Sequence, residues 1–387
     1  MFINHRKKMR IVSIICAFLA VVLAVCMYFL LEKYKEEDRK RREDILNLSD
    51  SLFETVKNPT EDDIPFDVID KELAEKLENY NFYEKLKEKL QVNALFLGTD
   101  STRGAGVSSQ NNNWVILLAE EIEYGYGSNI VGEYAKTNEN IFYGYYTLKD
   151  NPKELIYDLV VVCYGENEDP QTFELYYDGL LHAIKNQNPK CEIYCIIEAT
   201  ESGVNQNADS IREMCEYYGG ICIDMNEYFD ENHVDRSEAL TKEFIPTNVG
   251  CREYYNALSS VIWKNLDGKR EIPEISEPRL ETSKWFEDYE FFVLDDMKKV
   301  SDTVYEFSTN AKIASLITYK SYFGDRVRVY INGRKELTQS NKMEENLVKQ
   351  IQNSMISYEL EGKNKIKIDI GKAGNESNIV GVVLCGG

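Results

Sequence analysis

Val92-Asn93-Ala94-Leu95-Phe96-Leu97-Gly98-Thr99-Asp100-Ser101-Thr102-Arg103-Gly104 is the stretch that decides how this chain is read. An apolar run of strand type ends in a polar turn bounded by Gly98 and Gly104, and a helix-like segment follows over residues 113–121. Strand, tight turn and helix in that order carry polar side chains just beyond the carboxyl end of a strand, where α/β enzymes hold a nucleophile. Outward from this corner the pattern keeps alternating. Strands are expected at 129–132, 158–164, 192–198 and 220–224, and helices at 149–156, 173–187, 207–218 and 249–266. The run after Asp158 is uninterruptedly apolar, as a strand covered on both faces requires. Alternation of this kind predicts a parallel sheet in a three-layer α/β/α sandwich. An amphipathic helix over residues 70–90, with Leu73, Leu77, Tyr80, Tyr83 and Leu86 at helical spacing, leads into it.

Past Lys284 the character changes. Short runs near 291–294, 304–307, 314–319, 326–331, 355–360, 365–370 and 379–384 are separated by Asn, Gly and Ser, and Asn332-Gly333 is a hairpin signal. They predict a carboxyl-terminal all-β sandwich of jelly-roll type. The expected organisation is a cytoplasmic amino terminus with a transmembrane helix (1–31), a charged stalk (32–69), the α/β domain with its leading helix (70–268), a Pro-containing linker (269–283) and the β-sandwich (284–387). The membrane helix is read from Arg6, Lys7, Lys8 and Arg10 followed by an uncharged run over residues 11–31, long enough to cross a bilayer. The positive cluster on its amino side predicts a single-pass protein of the cell membrane with its globular part outside.

A net charge of −21 excludes a nucleic-acid partner, which requires a basic footprint. Of nine cysteines, Cys16 and Cys26 lie in the apolar run, and the remaining seven show neither C-x-x-C nor zinc spacing. Cys163 and Cys195 fall inside strands as small buried hydrophobes, and Cys191 is too far from Cys195 along one strand for a disulfide. Neither a cofactor nor a metal is expected. Tyr124, Tyr126, Tyr143, Tyr145 and Tyr146 cluster after the first helix, and core packing is the expected use of most such rings.

Four regions together resemble the blocks of the SGNH/GDSL hydrolases. The first corner is similar to G-D-S-x-T-x-G. Without a gap, Gly98, Thr102 and Gly104 fall on family positions, Thr99 on the family Asp and Asp100 on the nucleophilic Ser. Gly132 is the candidate for the second-block glycine that helps bind an oxyanion. Asp158 through Gly165-Glu166-Asn167-Glu168 is similar to D-L-V-x-x-x-x-G-x-N-D, which gives Asn167 the oxyanion-donor position. Lys242-Glu243-Phe244-Ile245-Pro246-Thr247-Asn248-Val249-Gly250 lies where the family has D-x-x-H-P-N-x-x-G, with Lys242 in place of Asp and Ile245 in place of His.

What the resemblance implies is ester hydrolysis, often deacetylation of polysaccharide. An isoleucine cannot accept a proton, and Asp100 cannot act as the family serine does. The expectation is therefore a catalytically degraded member that binds polysaccharide or cell-envelope proteins, with Asp100 and Lys242 paired across the old site beside Ile245. The alternative inserts one residue, so that Ser101 becomes the nucleophile and His233, in Asp230-Glu231-Asn232-His233, the base of an active serine esterase.

Overall fold

A computed structural model describes residues 79–134, 140–150, 156–166, 168–266, 270–275, 277–343 and 350–387. The apolar run at 11–31, the stalk and the first part of the leading helix, residues 70–78, lie outside these residues. Among the described residues no helix is long and apolar enough to cross a membrane.

The leading segment ends in a short helix α1 (Phe82–Lys87), started by an Asn81–Glu84 capping box. Strand β1 (Val92–Gly98) follows, then helix α2 (Asp100–Arg103), helix α3 (Trp114–Glu120) and strand β2 (Ile130–Tyr134). Next come α4 (Ile141–Asp150), β3 (Leu159–Cys163), α5 (Pro170–Gln187) and β4 (Glu192–Ile197). The domain closes with α6 (Ala208–Tyr217), β5 (Ile221–Asp224), α7 (Met225–Glu231), α8 (Arg236–Ala239) and α9 (Asn248–Leu266). All strand pairs are parallel, in the order β2-β1-β3-β4-β5. The sheet is buried on both sides because period-two alternation splits each strand between two cores. Leu95 and Leu97 face the α4, α5 and α6 side, while Ala94 and Phe96 face α3 and α9. Most of the helix expected at 149–156 lies outside the described residues, and the helix α4 begins earlier, at Ile141. Its tyrosines, with no polar stripe to mark a boundary, pack inward as Tyr143, Tyr145 and Tyr146.

Two antiparallel sheets form the carboxyl-terminal sandwich. The four-stranded one runs β12 (Gln350–Ser357), β9 (Ile313–Lys320), β14 (Ile379–Cys385) and β6 (Tyr289–Phe292). The five-stranded one runs β11 (Arg334–Ser340), β10 (Arg326–Ile331), β13 (Asn364–Asp369), β8 (Val304–Thr309) and β7 (Lys298–Ser301). Asn332 (φ 51°) and Gly333 (φ 85°) make the two-residue turn between β10 and β11, with the left-handed backbone such a turn needs at both positions. The sequence reading omitted β7 and β11, whose side chains are mostly exposed and polar.

The two domains share a core. Phe286 packs on Tyr145 at 4.7 Å between ring centres, Tyr146 lies 5.6 Å from Phe291, and the Tyr176 hydroxyl reaches Met355 Sδ at 3.5 Å. The connecting segment is clamped rather than free. Buried Asp178 accepts from the amides of Arg279 and Leu280, and Arg270 forks onto the fully buried Glu192.

Candidate active site

A parallel sheet of order 2-1-3-4-5 reverses direction between β1 and β3, and the crevice outside the carboxyl ends of those strands is the natural site of such a fold. The quoted corner lies there. Gly98 ends β1 where any side chain would collide with Thr102 and come within 2.7 Å of the Cys163 carbonyl. Thr99 caps α2, its oxygen accepting from the Ser101 amide at 3.4 Å. Asp100 is the first helical residue and forms an ion pair with Arg103 one turn on. Ser101 is buried, and its carbonyl accepts from Trp114 Nε1 at 2.9 Å. Asn113 fixes the same turn by donating to the Thr102 carbonyl at 2.9 Å while capping α3.

The second wall is the loop after β3. Gly165 takes φ 140°, and its carbonyl accepts from Asn207 Nδ2 at 2.7 Å. Glu168 accepts from the Ile141 amide at 2.8 Å, which ties this loop to the start of α4. Asn167 lies outside the described residues.

Between the two walls stands a residue the sequence reading missed. Glu198 follows β4, is 2% exposed, and joins the corner to the loop: Thr99 Oγ1 donates to its Oε1 at 2.9 Å and the Glu166 amide to its Oε2 at 3.1 Å. Burial pushes its carboxyl up to about 7, against hydrogen bonds from the Glu166 amide and the Thr99 and Ser101 hydroxyls. Glu168 is likewise raised to about 7, first by burial, with the Ile141 amide opposing and the charge of Glu198 adding. The available signal was an acid directly after an apolar strand on the crevice side of the sheet.

These carboxyls set a pH dependence. A carboxyl whose folded pKa lies above its unfolded value binds extra protons in the folded state between the two. Stability therefore falls as pH rises from about 4.5 to about 7. Glu198→Gln keeps the neutral shape, because Thr99 can accept from the amide nitrogen while the amide oxygen accepts from Glu166. It should lose on the order of 2–3 kcal/mol less stability than the wild type on going from about pH 5 to about pH 8. Urea midpoints across that range check this, and an unchanged slope would remove Glu198 as its source.

Comparison with known proteins decides the fold. A two-domain esterase active on acetylated mannans superposes with a TM-score of 0.61 at 13% identity, covering 81% of this chain and 95% of its own. The α/β domain has the SGNH/GDSL esterase fold. The same esterase co-crystallised with mannopentaose gives a TM-score of 0.60 over the same shares, also at 13% identity. A lipolytic G-D-S-L family member from Veillonella parvula covers 44% of this chain and 97% of its own, with 14% identity and a TM-score of 0.35. No family model and no curated protein matches the sequence.

In this SGNH fold the segment before α9 leans on the first corner. Ser108 and Asn248 exchange hydrogen bonds at 3.0 and 2.8 Å, and Gly106 packs under the Pro246 carbonyl. Ile245 is part-buried, held in a tight turn by Thr241 through bonds at 2.8 and 3.2 Å. Lys242 is exposed, and no ion pair to it occurs among the described residues. The expected Asp100–Lys242 pair therefore gives way to Asp100–Arg103, which helical spacing brings together at no cost in loop geometry.

Gly132 sits within β2 in register with Ala94, four residues ahead of Gly98. That is about 13 Å down the strand from the corner, so its amide belongs to the sheet and not to the crevice mouth. His233 is an exposed residue at φ 54° after α7, and it makes no hydrogen bond to Ser101 among the described residues. His182 is buried on α5, where Asn186 lies 3.2 Å from its Nε2. The corner thus offers carboxyl, hydroxyl and amide groups, and among the described residues no imidazole joins them.

Proposed function

We propose that this protein is an SGNH-fold member that has given up ester hydrolysis and binds polysaccharide or envelope partners through the crevice between β1 and β3. The observation that supports the reading lies at the helix tip: Asp100, which the ungapped motif spacing assigns to the nucleophile position, is paired with Arg103, and the same spacing assigns Ile245 to the position of the base. A carboxylate held by a guanidinium is a poor attacking group, and an alkyl side chain moves no proton. Support for a polysaccharide ligand comes from the mannan esterase whose structure overlaps both domains. Anchorage in a membrane with the globular part outside belongs to the same proposal and rests on the uncharged run at 11–31 and the basic residues before it.

The test uses the full-length protein in detergent with p-nitrophenyl acetate and with acetylated mannan. The wild type should release acetate no faster than its Ser101→Ala variant, while being retarded by acetylated mannan in affinity electrophoresis. Turnover that vanishes on Ser101→Ala would overturn the reading and install Ser101 as a nucleophile. Absence of retardation with every envelope or plant polysaccharide tried would remove the binding role.

A further inference from the structure

Three thiols converge at the edge of the sheet, away from the crevice. Cys195 on β4 and Cys222 on β5 are register partners in neighbouring parallel strands, so their side chains leave the same face. Cys215, in the last turn of α6, is buried in the same core cluster as Cys195, and Cys222 packs against that cluster. The turn from α6 into β5 folds closely over it, since a Cβ on Gly220 would stand 3.0 Å from Cys215 Sγ. All three are free cysteines, and they differ in access. Cys195 and Cys215 are buried, whereas Cys222 is part-exposed on the outermost strand.

We propose that Cys215 and Cys222 form a dithiol centre that a small disulfide oxidises to an intramolecular disulfide, with Cys222 as the attacking sulfur and Cys215 as the resolving one. Attack falls to Cys222 because it is the least buried of the three. Its thiol is also held below the usual range, first by the Cys215 hydrogen bond and then by the Arg212 guanidinium, against burial and the charges of Asp224 and Glu227. The Cys222 thiolate displaces one thiolate from glutathione disulfide and leaves a mixed disulfide. Cys215 then releases its proton to the departing thiolate and attacks Cys222 Sγ, expelling the second glutathione. Two protein thiols are oxidised by two electrons, and one glutathione disulfide is reduced to two thiols. The product closes the α6–β5 turn covalently. Cys195 is left as a thiol, because it lies deeper and its strand is already fixed to β5 by the sheet.

The experiment incubates the native full-length protein with glutathione disulfide, quenches in acid, alkylates after unfolding and maps the peptides. The expected result is a Cys215–Cys222 crosslink as the dominant intramolecular product, reversed by dithiothreitol. In Cys215→Ser a glutathione adduct should instead be trapped at Cys222. Persistence of both thiols, a stable glutathione adduct at Cys222 in the wild type, or a dominant crosslink through Cys195 would each overturn the proposal. The wild-type map needs no variant, so a Cys215→Ser protein that fails to fold leaves the test intact.

Discussion

Lys85→Met should destabilise the α/β domain by about 3–5 kcal/mol, because it leaves a buried carboxylate without its counter-charge. Lys85 Nζ lies 2.6 Å from Asp158 Oδ1, with only 7% and 8% of the two side chains exposed. Asp158 Oδ2 accepts from the Asn93 amide at 2.9 Å, so one side chain ties α1, the start of β1 and the start of β3 together. Burial raises the Asp158 carboxyl, and the Asn93 amide and Lys85 oppose it. The cost of the substitution should therefore shrink in acid, where Asp158 takes up a proton. Adding Asp158→Asn to Lys85→Met should restore much of the loss, since an amide oxygen can still accept from Asn93. Urea midpoints of the single and double variants measure both effects. A single-variant loss under about 1 kcal/mol would mean that water, not Lys85, satisfies the carboxylate.

Trp114→Ala should be similarly damaging, at about 3–5 kcal/mol, for a different reason. The indole is fully buried between Phe96, at 6.0 Å between ring centres, and Tyr254, at 6.3 Å. Its Nε1 also carries the Ser101 carbonyl, so the change opens a cavity and unties the corner in one step. Trp114→Phe separates the two parts. It keeps most of the packing and should cost about 1–2 kcal/mol, mostly for the unpaired carbonyl. Losses equal in Ala and Phe would show that the hydrogen bond, not the ring, does the stabilising.

How much of this was legible beforehand depended on whether a residue announces itself through its neighbours in the chain. Strands β1, β3 and β4 are continuous apolar runs ended by polar turns, and they were placed to within a residue or two. Asn332-Gly333 fixed a hairpin because few other pairs tolerate its backbone. Strand β11 has no such mark: it lies at the rim of its sheet and is mostly charged and polar. Asp100 and Ile245 could be named from sequence as candidates for the nucleophile and base positions because motif spacing survives around them. Their partners could not be. Arg103 captures Asp100 by helical proximity, and Glu198 reaches Thr99 across 99 positions, a contact that only the sheet order creates.

The shared aromatic seam between the two domains limits how such a protein can be dissected or rearranged. Phe286, Phe291 and Met355 fill the space that α4 and α5 leave open, and Asp178 grips the segment joining the halves. Cutting the chain near residue 284 would bare a greasy surface on both fragments, each prone to clump before any ligand could be tested. Point substitutions are therefore the sound way to apportion recognition between the halves.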